Sequence, residues 1–158
     1  MRLYMKQKVF SWRDRFTIKA EDGTDRYAAQ GEIFSLGKRL RVYDSSGMEA
    51  AFIKQKVLSW LPRYYVEING GVVCCIVKEL TLFRPRYRIE GKPWRLEGNF
   101  WAHDYWMADS SGQPVMRLSK KWFSWGDSYE IDIADSQDEL LCLCVALAVD
   151  CACHDGNK

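Results

Sequence analysis

Glu139-Leu140-Leu141-Cys142-Leu143-Cys144-Val145-Ala146-Leu147-Ala148-Val149 is the stretch that decides the fold. Asp138 and Glu139 open it with negative charge, which suits the positive end of a helix, and Ser136 followed three residues later by Glu139 reads as a capping box. The spacing predicts a helix over about residues 137–152. Wound at 3.6 residues per turn, its leucines and valines fall in every angular sector, so no polar stripe is left for water. The run from Leu140 to Val149 is only about half of the roughly 20 residues a membrane-spanning helix needs. Such a helix must be enclosed by protein on all sides.

The residues ahead of it supply the enclosure. Aromatic residues make up 14% of the 158-residue chain, a bias toward pleated structure. Turn signals recur every 8–12 residues between β-rich runs: Lys38 to Tyr43, Met48 to Val57, Tyr64 to Ile68, Val72 to Leu82, Arg84 to Ile89, Trp94 to Leu96, Phe100 to Ala108, Pro114 to Trp122 and Ser128 to Ile133. A barrel of eight strands is filled by its own side chains, whereas a helix occupies a cylinder of about 10–12 Å, so about eleven or twelve strands are needed around it. The roughly 136 residues before the helix supply twelve strand-and-turn units of about eleven residues. The reading is mainly β: one domain over 1–158, a closed antiparallel barrel of about twelve strands threaded by its C-terminal helix.

The barrel is internally duplicated. Shifted by 65 residues, Asp44-Ser45-Ser46-Gly47 lands on Asp109-Ser110-Ser111-Gly112, Lys56 on Lys121, Ser59-Trp60 on Ser124-Trp125, Tyr64 on Tyr129 and Ile68 on Ile133. A shorter echo, Lys6 to Trp12, matches Lys54 to Trp60. The half-repeats fall near 1–71 and 72–135. At equivalent corners, Trp12, Trp60 and Trp125 are expected to plug the barrel ends or staple hairpins.

Trp122-Phe123-Ser124-Trp125-Gly126-Asp127-Ser128-Tyr129-Glu130-Ile131-Asp132-Ile133, followed at once by an apolar terminal helix, resembles the LURP-one-related family, also called YxjI-like. That family belongs to the tubby C-terminal superfamily, which includes the phospholipid scramblases. The resemblance runs from Tyr4-Met5-Lys6-Gln7-Lys8 through the helix. It implies a twelve-stranded barrel around a central helix and, for tubby domains, binding of phosphoinositide headgroups by basic side chains outside the barrel. The matching motifs are structural corners, and no residue of the tubby headgroup site is carried over.

Function is written more faintly. With 23 Lys+Arg against 21 Asp+Glu, the net charge of +2 gives no reason to expect a nucleic-acid partner. No basic start followed by an apolar stretch marks a secretory leader, and the six cysteines sit in close pairs that would close no useful loop, so reduced thiols and a cytoplasmic location are expected. Arg84, Arg86 and Arg88 alternate with Pro85, Tyr87 and Ile89, which puts three guanidinium groups on one face of one strand. Their planar forks suit phosphate. Lys54, Lys56 and Lys121 occupy related repeat positions and join them as candidates for binding an anion or a lipid headgroup. A barrel exterior must be polar in any case, and Glu79, Glu90 and Glu97 stand nearby to neutralise part of the stripe. Pro85 places that strand at an edge or bulge.

No catalytic arrangement is legible. His103 and His154 lie in no nucleophile motif, Asn69-Gly70-Gly71 is a turn rather than a phosphate loop, and no cofactor is implied. Cys151, Cys153 and His154 could chelate zinc or copper(I) only at a frayed helix end, and buried thiols are the simpler expectation. Trp101 and Trp106 flank a polar loop and could reach a membrane interface or a partner. The expectation is a non-enzymatic binding module, cytoplasmic or peripheral to a membrane, that engages anionic lipid. The alternative is a protein-interaction scaffold with no lipid ligand.

Overall fold

The computed structural model describes residues 1–10, 13–32, 34–123 and 126–155. Among them are twelve strands: β1 (Arg2–Phe10), β2 (Arg13–Ala20), β3 (Asp25–Gly31), β4 (Arg39–Asp44), β5 (Glu49–Gln55), β6 (Arg63–Ile68), β7 (Gly71–Glu79), β8 (Arg86–Glu90), β9 (Trp94–Asn99), β10 (Asp104–Asp109), β11 (Pro114–Phe123) and β12 (Gly126–Ile133). A 3₁₀ turn, Ser136–Asp138, then leads into α1 (Glu139–Asp155). Each strand pairs antiparallel with its neighbour in sequence. The ring closes where β1 meets β12, with Leu3 opposite Ile131, and Met1 and Ile133 exchange backbone hydrogen bonds. The closed twelve-stranded tubby-like barrel is the one the sequence predicts.

Alternation aims one face of each strand inward: Leu3 and Met5, Leu40 and Val42, Tyr64 and Val66, Tyr129 and Ile131 are all buried. Every residue of α1 from Cys142 to Val149 is fully buried, so the helix fills the barrel as a plug. None of the helices described is long and apolar enough to cross a membrane. Ladder irregularities at Val42/Tyr43 and Met107/Ala108, 65 residues apart, bend the wall at matching places. Beside them the two repeat tetrads form the same turn. Asp44 accepts from the amides of Ser46 and Met48 and from the Ser46 hydroxyl, and Asp109 accepts likewise from Ser111 and Gln113.

Up-and-down topology sorts the connections onto two ends. At the turn end lie tight glycine turns, with Gly23, Gly47, Gly70, Gly91 and Gly112 at φ between 77° and 91°. The longer connections (32–38, 56–62, 80–85 and 100–103) lie at the loop end. The helix enters at the turn end, where Arg26 holds Glu139, and leaves at the loop end, where Lys78 Nζ donates to the Ala152 carbonyl at 3.2 Å.

Four local expectations change. The Ser136–Glu139 capping box does not form: Asp135 caps the 3₁₀ turn by accepting from the Gln137 amide, and Glu139 turns to Arg26, a stronger, charge-assisted donor. The strand read from Arg84 starts at Arg86, and Pro85 sits in the preceding loop, where its missing N–H breaks no ladder bond. The strand read from Phe100 starts at Asp104, because 100–103 form a turn with His103 at φ 51°. Trp60 neither plugs nor staples: it stands 98% exposed in the β5–β6 loop. The related corners at Trp12 and Trp125 lie outside the described residues.

Candidate headgroup-binding site

Among the described strand pairs, β8 and β9 are the most weakly laddered. Between β8 and β9 the ladder is reduced to a single partnered position, Arg88 opposite Arg95. β8 is only five residues long, and Gly91 and Pro93 in the turn that follows let the two strands splay. A cleft of about 690 Å³ lies there. Tyr87, Leu96 and Phe100 are buried at its base, and the Phe100 ring meets Tyr87 edge-on at 4.7 Å and Tyr105 at 5.0 Å. Because Tyr87 and Ile89 point inward, Arg86 and Arg88 must point outward, as must Arg95 beside the inward Leu96.

Arg84, Arg86, Arg88 and Arg95 all line this cleft, with Glu79 and Glu97. The four arginines are not equivalent. Arg88 is spoken for: its guanidinium reaches Glu90 at 2.8 Å and Glu79 at 3.2 Å, and Arg63 braces Glu90 at 2.9 Å from the other side. Hydrogen bonds from Arg88 and Arg63 hold the Glu90 carboxyl below its ordinary range, and the pairing with Glu90 and Glu79 raises Arg88 above its own. Among the described residues, the guanidinium groups of Arg84, Arg86 and Arg95 make no ion pair. Three exposed forks, one of them directly opposite a fourth cation, are therefore available to an anion. Like charges directly opposed on a ladder repel, and here Glu79 and Glu90 offset the charge of Arg88.

The lysine candidates lie elsewhere. Lys54 on β5 stands 3.6 Å from Glu67, Lys121 on β11 stands 3.4 Å from Glu130, and Lys56 is exposed in the β5–β6 loop. None lines the cleft. Sequence reading missed Arg95, whose outward direction follows from alternation but whose position opposite Arg88 needs the register.

The cysteine and histidine residues also find their places. Cys151 is buried, Cys153 Sγ lies 3.4 Å from the Tyr87 hydroxyl, and His154 Nδ1 lies 2.8 Å from the Asp150 carbonyl. Burial pushes the Cys153 thiol up, and the described residues include no cluster of three or more metal-ligating side chains. The fold brings His103 and His154 together, with ring centroids 6.5 Å apart, which their separation of 51 positions in the chain gave no reason to expect. A second depression, about 480 Å³, is lined by Asp25, Asp44, Tyr27 and Tyr43 and has the wrong charge for an anion.

Comparison with known proteins places this geometry in a family. The model for LURP-one-related proteins matches residues 1–150. The protein YxjI of Bacillus subtilis (strain 168) is 40% identical over 156 residues, covering 98% of this chain and 95% of that one. A crystal structure of an Arabidopsis thaliana protein superimposes with a TM-score of 0.63 over 94% of this chain and 90% of its own, at 12% identity, a likeness of fold alone. By its sequence from first strand to helix, and by the barrel that sequence builds, the chain belongs to the LURP-one-related family.

Proposed function

We propose that this protein is a non-enzymatic module that binds phosphate-bearing headgroups of anionic lipids at the β8–β9 cleft and works at the cytoplasmic face of a membrane. One observation carries the reading: the wall opens to a single ladder pair where Arg84, Arg86 and Arg95 present guanidinium groups that make no ion pair among the described residues, beside Arg88. The base of the cleft is apolar and buried, so the arginines form its rim and a ligand is held by its charged head. Planar forks at several heights match a headgroup carrying more than one phosphate better than a single small ion.

The barrel interior is occupied by α1, whose residues from Cys142 to Val149 are fully buried, which favours binding on the exterior over catalysis within. The test is calorimetric titration with inositol trisphosphate against the wild type and Arg84→Ala/Arg86→Ala/Arg95→Ala. Saturable heat in the wild type that disappears in the variant supports the cleft. Equal heat in both, with both proteins folded, removes it.

A further inference from the structure

The loop end of the barrel carries large apolar side chains in positions that ordinary folding does not explain. Phe34 and Leu36 in the β3–β4 loop are 100% and 79% exposed, Leu58 and Trp60 in the β5–β6 loop 99% and 98%, and Leu82 and Phe83 in the β7–β8 loop 93% and 91%. Soluble surfaces tolerate scattered apolar residues, but three neighbouring loops ending in such pairs at one end of a barrel are a concentrated feature. The turn end exposes Met48 and Val72 among polar turns.

Charge is sorted along the same axis. Lys38, Lys56, Arg84 and Arg86 lie in or beside the apolar loops, whereas Asp22, Asp44, Asp109 and Asp138 lie at the turn end. A near-neutral total thus conceals a barrel with one basic, apolar-tipped end and one acidic end. We propose that the loop end docks on an anionic bilayer, inserting Phe34, Leu58, Trp60, Leu82 and Phe83 into the boundary between headgroups and acyl chains. The lysines and arginines then lie at the depth of the phosphates, and the acidic end points away from the surface.

The exposure of these side chains suits a bilayer: Phe34, Leu36, Leu58, Trp60, Leu82 and Phe83 stand on three separate loops, and each is between 79% and 100% exposed. A fluid interface accommodates separated tips, and Trp and Phe partition into it readily. Charge complementarity selects an anionic leaflet, where juxtamembrane basic residues are attracted. The inference rests on the preceding reading only for the choice of anionic lipid; the cleft opens next to the β7–β8 tip, so docking by the tips brings it to the headgroup layer.

The test uses vesicles of phosphatidylcholine and phosphatidylglycerol whose acyl chains are brominated, which quench tryptophan emission on contact. Phe34→Ser/Leu58→Ser/Phe83→Ser keeps every tryptophan. These side chains are exposed, so its melting temperature is expected to match the wild type. The expected result is quenching of the wild type and, in the tip variant, loss of quenching with affinity lower by tenfold or more, since each apolar tip taken from water is worth about tenfold. Arg84→Ala/Arg86→Ala/Arg95→Ala should bind more weakly yet be quenched as strongly per bound molecule. Wild-type protein that sediments with the vesicles but is not quenched, or a tip variant that binds like the wild type, overturns insertion and leaves headgroup binding standing. Failure of the wild type to sediment with these vesicles overturns docking by the loop tips, while headgroup binding at the cleft is decided separately by the inositol trisphosphate titration.

Discussion

Arg26 on β3 clamps Glu139, the first residue of α1, with Nε donating to Oε1 at 2.7 Å and Nη2 donating to Oε2 at 3.0 Å. The Glu139 side chain is 8% exposed, while the arginine side chain is about half open to water at 48%. One bidentate pair therefore ties the barrel wall to the point where the plug enters it, with the negative charge at the favourable end of the helix dipole. Arg26→Ala leaves Glu139 buried without its cation. Loss of a partner from a fully buried pair costs about 3–5 kcal/mol, and solvent screening of the half-exposed arginine reduces this to about 1–3 kcal/mol. Denaturant unfolding measures it. A second replacement, Glu139→Gln, should recover part of the loss, and an Arg26→Ala midpoint equal to the wild type contradicts the clamp.

Gly98 is fixed by close approach as well as by conformation. An added Cβ would lie 2.6 Å from Tyr105 Cα and 2.7 Å from the Asp104 carbonyl oxygen, and φ is 130°. Gly98→Ala should destabilise by roughly 2–4 kcal/mol, since backbone on β10 has to move. Gly112 has a positive φ of 86° but open space around it, so Gly112→Ala should cost only about 1–2 kcal/mol. Equal midpoints for the two variants would contradict the packing of β9 on β10.

The repeat turns give an acid-side signature. The Ser46 hydroxyl and the Met48 amide hold Asp44 below the usual carboxylate range, and Ser111 and Gln113 do the same for Asp109. A depressed folded pKa contributes stability above the unfolded pKa that is lost as the pH falls through the folded value. Asp44→Ala/Asp109→Ala should therefore be less stable than the wild type near neutrality, and the two should converge below the ordinary carboxylate range. Urea midpoints measured across pH report this; a gap that stays constant into strong acid contradicts it.

Thiol labelling tests the threaded helix. Burial pushes the Cys74 and Cys142 thiols up to about 12, and Cys144 higher still. In native protein, alkylation by iodoacetamide near neutral pH should leave all three unmodified, with Cys153, at the half-open loop end, the first to react. Rapid labelling of Cys142 and Cys144 without unfolding would mean that the helix does not fill the barrel.

Much of the fold was legible because its strongest constraint is local. An apolar run without a wet face has to be enclosed, and turn spacing supplied the wall. The Asp-Ser-Ser-Gly tetrads were readable because the same side-chain hydrogen bonds recur in each. What remained illegible depends on pairing across the wall. Arg84, Arg86 and Arg88 could be seen as a stripe, but their inequivalence follows from Glu79 and Glu90 capturing Arg88, and Arg95 joins them only through register. Trp60 was misread because tryptophan at a repeated corner is ordinarily buried, and nothing in its immediate sequence records that the β5–β6 loop projects it into solvent.

The most direct test of lipid binding at the cleft is co-sedimentation with neutral and phosphoinositide-containing vesicles at low and high salt, comparing the wild type with Arg84→Ala/Arg86→Ala/Arg95→Ala. The prediction is binding that requires the anionic lipid, weakens as salt screens the arginines and falls at least tenfold in a variant that melts like the wild type. Binding that is the same on neutral vesicles, or unchanged in the folded variant, would contradict it.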